Sequence, residues 1–580
     1  MGRYLSTAGL AILAISGVAA ATGNTASVTR SGSAATVMAK PLYPGPKNTV
    51  PSGTHSSYSW PPAETKISDP TCTKVQYDFP SGTNLNTSRA DAVRDLYKRS
   101  WNEYAEYCFG WDQLLTLNNS CENDIFGWGA SIVDGIDTAI LMNLTEIVAT
   151  QLEFIAKTDY TTANSLVDGF DAIIRYLGGL LSAYDLLTSG YVPEGTYNSD
   201  NVKALLSQAK VLGDKLKPQF DTPSGLPTAN INFTTNTPIN SQFTNPLNNV
   251  TYNATNVAVA GTLILEFTRL SDLTGDQSFR ELALRTEGNL IYPDPGPVWP
   301  GLVGSNLDTE TGKFLTYDFG WQAGIDSFIE YLIKTYYYNP SNAANAVMKD
   351  FWLTTVESSI EHIALHPYDH PELTYLSQGD AAGNIEWQMD DYACFAGGNL
   401  LLGGAFLNRP DITDLGLAVT DSCHYFYNTT ETGLGPLSWG WYNASNEAYD
   451  PSWNTNRTYR QQGAEFGYFI TSPEYDSFPE SIESFFYAYR ITGDSKWQEY
   501  NWEIFRNLER QSTPKIPSAP ISDVNKPKSF ISELPSYYFA EVLKYLYLSF
   551  VDPEIVNLDY WVFNTECHPM RRNAQGCSAN

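Results

Sequence analysis

Apolar residues return at helical spacing along most of this chain. Ile132, Ile136 and Ile140 with Met142, and Leu177, Leu180 and Leu181 with Tyr184, each mark one face of a helix. The pattern runs from Ser88 to Phe550, and stretches that alternate apolar with polar are scarce, so the body is predicted to be mostly helical. Residues 22 to about 70 are rich in Ser, Thr, Gly and Pro and show no period, which predicts a flexible leader. One device occurs twice, about 220 residues apart: GTLILEFTRLSDLTGDQSF from Gly261 and ESFFYAYRITGDSKW from Glu483. Each is an apolar helix with an Arg near its end, a Thr-Gly-Asp turn, and an aromatic residue three positions after the Asp. Gly ends a helix well and Asp starts the next one, so both segments predict helical hairpins. Stacked in a closed ring, such hairpins account for the body without an internal linker.

Length sharpens this picture. At 580 residues the chain holds either two to four ordinary domains or one large repetitive fold. It carries 64 Asp and Glu against 35 Lys and Arg, a net charge of −29, which argues against nucleic acid and against an anionic membrane surface. Hydrophobic residues make up 42%, enough for a core, and 14 Trp with 37 Tyr on a chain with only 17% charged residues suit a protein that handles carbohydrate.

The first residues predict where the protein goes. Arg3, the apolar run Leu10–Val18 and Ala19-Ala20-Ala21 form a secretory signal pattern, too short for a membrane span. Nine glycosylation sequons follow, at Asn86, Asn118, Asn143, Asn232, Asn249, Asn253, Asn428, Asn443 and Asn456. The seven cysteines, Cys72, Cys108, Cys121, Cys394, Cys423, Cys567 and Cys577, include no CxxC pair, and in an oxidising compartment at least one stays unpaired. The expectation is a secreted glycoprotein with no membrane span once mature.

Familiar catalytic signatures are missing. Gly312-Lys313 is followed by Phe314, so there is no P-loop, and His-Glu never occurs, which removes the HExxH zinc proteases. His362, His366 and His370 are spaced four apart, but Pro367 breaks the helix that would align them, so surface histidines are expected there rather than a metal site. Carboxylates inside apolar helices are more informative, because a buried acid must be partnered or used. Asp134 and Asp137, Asp171, Asp326, Glu480 with Glu483, and Glu541 all sit in such segments. Converging at the centre of a ring, they would form an acidic, aromatic-lined pocket suited to glycoside hydrolysis or calcium–sugar binding.

These segments resemble the class I α-mannosidases of glycoside hydrolase family 47. The resemblance rests on GWGASIVDGIDT, IRYLGGLLSAYDL, FDTPSGLPTANIN (Phe220–Asn232), PGLVGS (Pro300–Ser305), DSFIEYLIK, PESIESFFYAYRITGD, FAEVLKYLYL and FNTECHP, in family order from Ser88 to Pro569. It implies an all-α (αα)7 barrel over residues 76–570, with the signal peptide (1–21) and leader (22–75) read from the residues before it and a tail (571–580) after it. It implies exo-hydrolysis of α-1,2-linked mannose with inversion, acting as a monomer on mannoside-containing glycans. It further implies a Cys394–Cys423 disulfide. One Ca2+ is implied at the barrel floor on Thr565, with Glu483, Glu541 and Glu566 holding its waters. The family's general acid maps onto Asp171, its second catalytic acid onto Asp326 and its general base onto Glu480. Asp134, Arg175, Phe478 and Tyr537 fall among expected sugar contacts.

Four positions depart from the family pattern. FETTIR becomes Phe170-Asp171-Ala172-Ile173-Ile174-Arg175, which shortens the acid by a methylene. LRPE becomes Ser477-Phe478-Pro479-Glu480, which loses an arginine. The family's histidine before its Cys-Phe becomes Asp391, and ESF becomes Pro535-Ser536-Tyr537. Phe cannot imitate a bidentate guanidinium. The expectation is a retained terminal-sugar subsite and a remodelled leaving-group side. The competing reading is a lectin-like protein that binds mannosides without cleaving them.

Overall fold

The computed structural model describes residues 65–67, 71–80, 86–513, 516 and 520–574. The expected signal segment, most of the leader, Cys577 and the end of the tail lie outside them. Among the described residues, fourteen helices carry the architecture: α1 (Thr87–Cys108), α2 (Ile136–Leu141), α3 (Thr145–Lys157), α4 (Gly178–Thr188), α5 (Ser199–Leu216), α6 (Ile264–Thr274), α7 (Ser278–Ile291), α8 (Asp326–Tyr338), α9 (Ala343–Ser358), α10 (Phe395–Phe406), α11 (Pro410–Tyr425), α12 (Glu480–Thr492), α13 (Lys496–Gln511) and α14 (Leu543–Leu548).

Each even-numbered helix packs against the odd-numbered helix that follows it, and α14 packs back on α1, closing the ring. The even-numbered helices also touch one another in order, so they form an inner ring and the odd-numbered ones an outer ring. The chain is an (αα)7 barrel. Burial explains which helix goes where. Inner helices meet neighbours on every side, and in α8 every residue from Ser327 to Tyr338 is buried. Outer helices have one apolar stripe: α13 buries Trp497, Asn501, Ile504, Phe505 and Leu508 and turns its charges outward.

The Thr-Gly-Asp turns join inner to outer helices as expected. Gly275 and Gly493 have φ of +78° and +72°, a left-handed helix end that glycine adopts without strain. Asp276 and Asp494 then accept the amides of Ser278 and Lys496 to start α7 and α13. Inner-to-outer joints are short. Outer-to-inner connections are long and gather at the opposite end, where the inner helices begin. A final hairpin, Trp561–Phe563 paired antiparallel with Pro569–Arg571, packs against α8 and α4 and carries residues 564–568 at its tip.

The expected leader does not stay free up to residue 75. Lys66 forms a β-bridge with Asn342, Ile67 donates to the Ser341 carbonyl, and the Val75 amide donates to Asp559 at 2.8 Å. Those backbone groups find partners on the barrel, so the ordered body begins before residue 76. Cys108–Cys121 and Cys394–Cys423 are disulfides, Cys72 is also disulfide-bonded, and Cys567 is a buried free thiol. No helix among the described residues is long and apolar enough to cross a membrane.

Candidate active site

The inner helices start at the loop-bearing end, and their first turns carry the acids. Helix N-termini favour negative charge, which suits carboxylates there. Asp168 caps the Gly169–Asp171 turn by accepting the Phe170 amide at 2.8 Å, and so fixes where Asp171 emerges. A π-helical stretch, Ala172–Leu177, follows; a second one, Tyr538–Val542, carries Glu541. Such wide turns concentrate at functional sites. Arg175 links the parts: its Nε lies 3.0 Å from Asp171 Oδ1, and its Nη1 lies 2.8 Å from Glu566 Oε1 and 3.6 Å from Asp134 Oδ2.

Exposure sorts the acids into two tiers. Asp171, Asp326 and Glu480 are half-buried, whereas Glu483, Glu541 and Glu566 are buried. Their charges couple around the ring. Burial, reinforced by Asp390 and Glu330, pushes Asp326 up to about 7. Burial and then Asp391, with Glu483 and Asp326 contributing, push Glu480 well above the carboxylate range. Glu541 is raised likewise by burial and by Glu566, Glu480 and Glu483. Glu483 rises to about 7 by burial, which Lys334 only partly offsets. Lys334 itself is paired with Glu330 and lies 3.4 Å from Glu483. Negative charge therefore exceeds positive charge in this cluster.

The hairpin tip enters the cluster from below. Of Asn564–His568, only Thr565 is half-buried; the others are buried. Asn564 sets the tip by donating to the Ile174 carbonyl and Glu266 and by accepting the Glu566 and His568 amides. The Thr565 amide donates to Tyr331 Oη. His568 lies between Asp137 Oδ2 at 2.7 Å and Asp134 Oδ1 at 3.0 Å, and Lys544 lies 2.8 Å from Asp137. Gly178 and Gly179 make room for it. A Cβ on the first would meet the His568 ring at 2.8 Å, and one on the second the Val133 carbonyl oxygen at 2.6 Å.

Burial alone would lower the His568 pKa, but Asp137 and Asp134 outweigh it and raise it to about 9. The stabilisation from this cation is complete below the ordinary 6.5 and is lost as pH rises through about 9. His568→Ala leaves two buried carboxylates short of a partner and is expected to destabilise the barrel by about 3–5 kcal/mol. Thermal melts at pH 6 and pH 9.5 check this, the difference from wild type being smaller at the higher pH.

Two expectations need correction. Asp134 was expected to touch sugar, but it is fully buried and serves Ser536, His568 and Arg175. Its place in an apolar helix reflects a structural ion network. His362, His366 and His370 are half-buried rather than solvated: the first stacks on Trp299 at 4.6 Å, the second meets the Leu373 carbonyl, and the third meets Glu372. They share no site. Among the described residues, no three His, Cys, Asp or Glu side chains converge to clamp a metal directly.

The altered positions lie together. Phe478 packs between Tyr392 (ring centroids 4.6 Å apart) and Tyr537 (5.9 Å, near-parallel). Arg175 lies over the Tyr537 ring at 5.4 Å, and Tyr537 Oη donates to the Asp476 carbonyl. Asp391 is buried and pushed up by that burial to about 8; Ser481 donates to it. Tyr392, Asp390, Lys334, Glu330 and Glu266 had not been expected at the site. The spacing of Glu330 and Lys334, one helical turn apart in an apolar helix, was the available signal.

Residues 96–572 match the sequence profile described as glycosyl hydrolase family 47. A mannosyl-oligosaccharide alpha-1,2-mannosidase 1B of Aspergillus phoenicis is 38% identical over 500 residues, covering 85% of this chain and 93% of the relative. A mannosyl-oligosaccharide alpha-1,2-mannosidase of Penicillium citrinum is 38% identical over 494 residues, covering 84% and 92%. The solved alpha-1,2-mannosidase from Trichoderma reesei superposes with a TM-score of 0.77 at 36% identity, covering 84% of this chain and all (100%) of that one.

Proposed function

Because the chain belongs to glycosyl hydrolase family 47, we propose that it is an exported exo-α-mannosidase that removes terminal α-1,2-linked mannose with inversion. The observation that carries the proposal is the two-tier carboxylate cluster: half-buried acids at the inner-helix starts above buried ones around the hairpin tip. In this reading Glu480, which must ionise against the burial and neighbouring acids that raise its pKa and whose charge a cation in the cluster would favour, takes a proton from a water whose oxygen attacks C1 opposite the leaving group. Asp326 or Asp171 gives a proton to the glycosidic oxygen as the C1–O bond breaks. The raised pKa of Asp326 keeps it protonated, as a donor must be, up to about pH 7.

The cluster also suits a calcium ion. Among the described residues, Glu480 Oε2 and Glu566 Oε2 are buried without a hydrogen-bond partner, and the local excess of negative charge calls for a cation. Thr565 would hold it through hard oxygens, with Glu483, Glu541 and Glu566 ordering its waters. When bound, the ion supplies positive charge that orients sugar hydroxyls and water. Disulfides and sequons support export through an oxidising compartment, and we take the protein to act as a monomer.

The leaving-group side is remodelled in this proposal, because Tyr392, Phe478 and Tyr537 make an aromatic wall. Phe478→Arg is expected to raise kcat/KM on an oligomannose N-glycan about tenfold relative to α-1,2-mannobiose, as a charged hydrogen bond contributes about 1.5–3 kcal/mol. Competitive assays with both substrates check it. One observation favours the lectin-like reading: the shortened Asp171 is engaged by Arg175. Incubation with α-1,2-mannobiose decides between them. Released mannose supports hydrolysis; saturable binding without release supports the lectin.

A further inference from the structure

The Cys108–Cys121 disulfide closes a loop that crosses the end of α1 and leaves Tyr107, Phe109 and Trp111 exposed by 44%, 39% and 44%. Beside Phe109 runs a cavity of about 740 Å³, bounded by this loop, by α3 and by the segment that follows α3. It lies at the loop-bearing end of the barrel, the same end as the carboxylate cluster. Its floor is rigid. The Phe154 ring rests against Gly110 and Gly129, both at positive φ, where a Cβ would meet it at 3.3 and 2.8 Å. Phe109 meets Phe154 edge to face at 5.6 Å, and Trp128 Nε1 donates to the Thr162 carbonyl at 2.7 Å.

The lining selects a ligand class. The exposed Phe109 face and the Phe154 ring offer flat apolar contact. The Glu153–Lys157 pair (2.6 Å) and the exposed Asn164 amide offer hydrogen bonds in both directions. A paired lysine on a chain of net charge −29 does not suit an anion. A purely apolar partner would make no use of the Asn164 amide or of the exposed Glu153–Lys157 pair. A neutral molecule with apolar ring faces and many hydroxyls meets both demands, and that is an oligosaccharide. The volume falls within the usual range for such sites.

Groove and barrel are joined through one segment: Phe126 lines the groove, and Asp124 and Ile125 precede it. Tyr176, next to Arg175, donates to the Ile125 carbonyl at 2.7 Å, and Asp124 is close enough to Asp171 to feel its charge. We propose that the Phe109–Phe154–Asn164 groove is a second glycan-binding site, which holds one branch of a mannose-rich oligosaccharide while another branch enters the barrel. That both branches belong to a substrate rests on the mannosidase reading; that the groove binds neutral oligosaccharide does not. Two linked sites raise affinity without any new contact in the barrel.

The test uses Phe109→Ala and Asn164→Ala in the full chain, both at exposed positions, with unchanged melting temperature as the control for folding. The binding probe is an α-1,6-linked mannotriose, which carries no α-1,2 bond. Wild type and Glu480→Gln are expected to bind it equally, and each groove variant about tenfold more weakly. In hydrolysis, the groove variants are expected to raise KM for a branched oligomannose about tenfold with kcat and mannobiose kinetics unchanged. Mannotriose binding that both variants leave intact would overturn the proposal. Groove-dependent binding in a protein that hydrolyses neither substrate would sustain the groove and reject the mannosidase reading instead.

Discussion

Glu480→Gln is expected to lower kcat on α-1,2-mannobiose by about 10³-fold while leaving the fold intact. The amide keeps the shape of the side chain but cannot accept the proton of the attacking water, and a positioned general base is worth about 10²–10⁴-fold. The fold should tolerate the change for a second reason. Glu480 is crowded by Asp391, Glu483 and Asp326, and its charge is disfavoured by burial. Removing one carboxylate relieves that cluster, so the variant is expected to melt at or above the wild-type temperature. Steady-state kinetics and a thermal melt on one preparation separate the two effects. A variant with activity within tenfold of wild type would remove Glu480 from the chemistry. A variant that is inactive because it unfolds would show the cluster to be structural.

Removal of divalent cations is the second large effect. Chelation is expected to abolish hydrolysis and to lower the melting temperature, and calcium to restore both. Among the described residues, the cations near the buried Glu483, Glu541 and Glu566 are Lys334, Arg175 and His568, and these are shared with Glu330, Asp171, Asp134 and Asp137. A cation bound only by the folded state stabilises it by about 4 kcal/mol at a thousandfold excess over Kd. Magnesium is expected to restore less than calcium, since it demands a small octahedral shell and keeps its own waters, whereas a protein carbonyl, a hydroxyl and several sugar and water oxygens suit a larger ion. Melting curves with chelator, then calcium, then magnesium check the order. Indifference of both stability and activity to chelation would remove the cation from the account.

The ring was legible in the chain because its device is local. An apolar helix, a Thr-Gly-Asp turn and an aromatic on the next helix recur within twenty residues, and the structure shows Gly275 and Gly493 ending inner helices as those turns require. Closure of the ring was not local: α1 meets α14 across almost the whole chain, which no window of sequence displays. The acids were legible as charges in apolar helices, but that signal does not separate roles. Asp134 and Glu480 look alike in sequence, yet one is sealed against His568 and the other is half-buried at the start of α12. Partners on other elements decide between them. His568 itself, in a short stretch with no periodicity, gave no hint of lying between two aspartates. The aromatic wall was only half visible, since Phe478 and Tyr537 stood out as departures while Tyr392, which packs on Phe478, did not.

In the proposed reaction this carboxylate cluster would hydrolyse a terminal α-1,2-mannoside by single displacement. Proton NMR of α-1,2-mannobiose during the first minutes of reaction tests it most directly. β-Mannose is expected to appear first and to reach the equilibrium anomer mixture only later by mutarotation. First appearance of α-mannose, or no release of mannose from a folded, calcium-loaded protein, would contradict it.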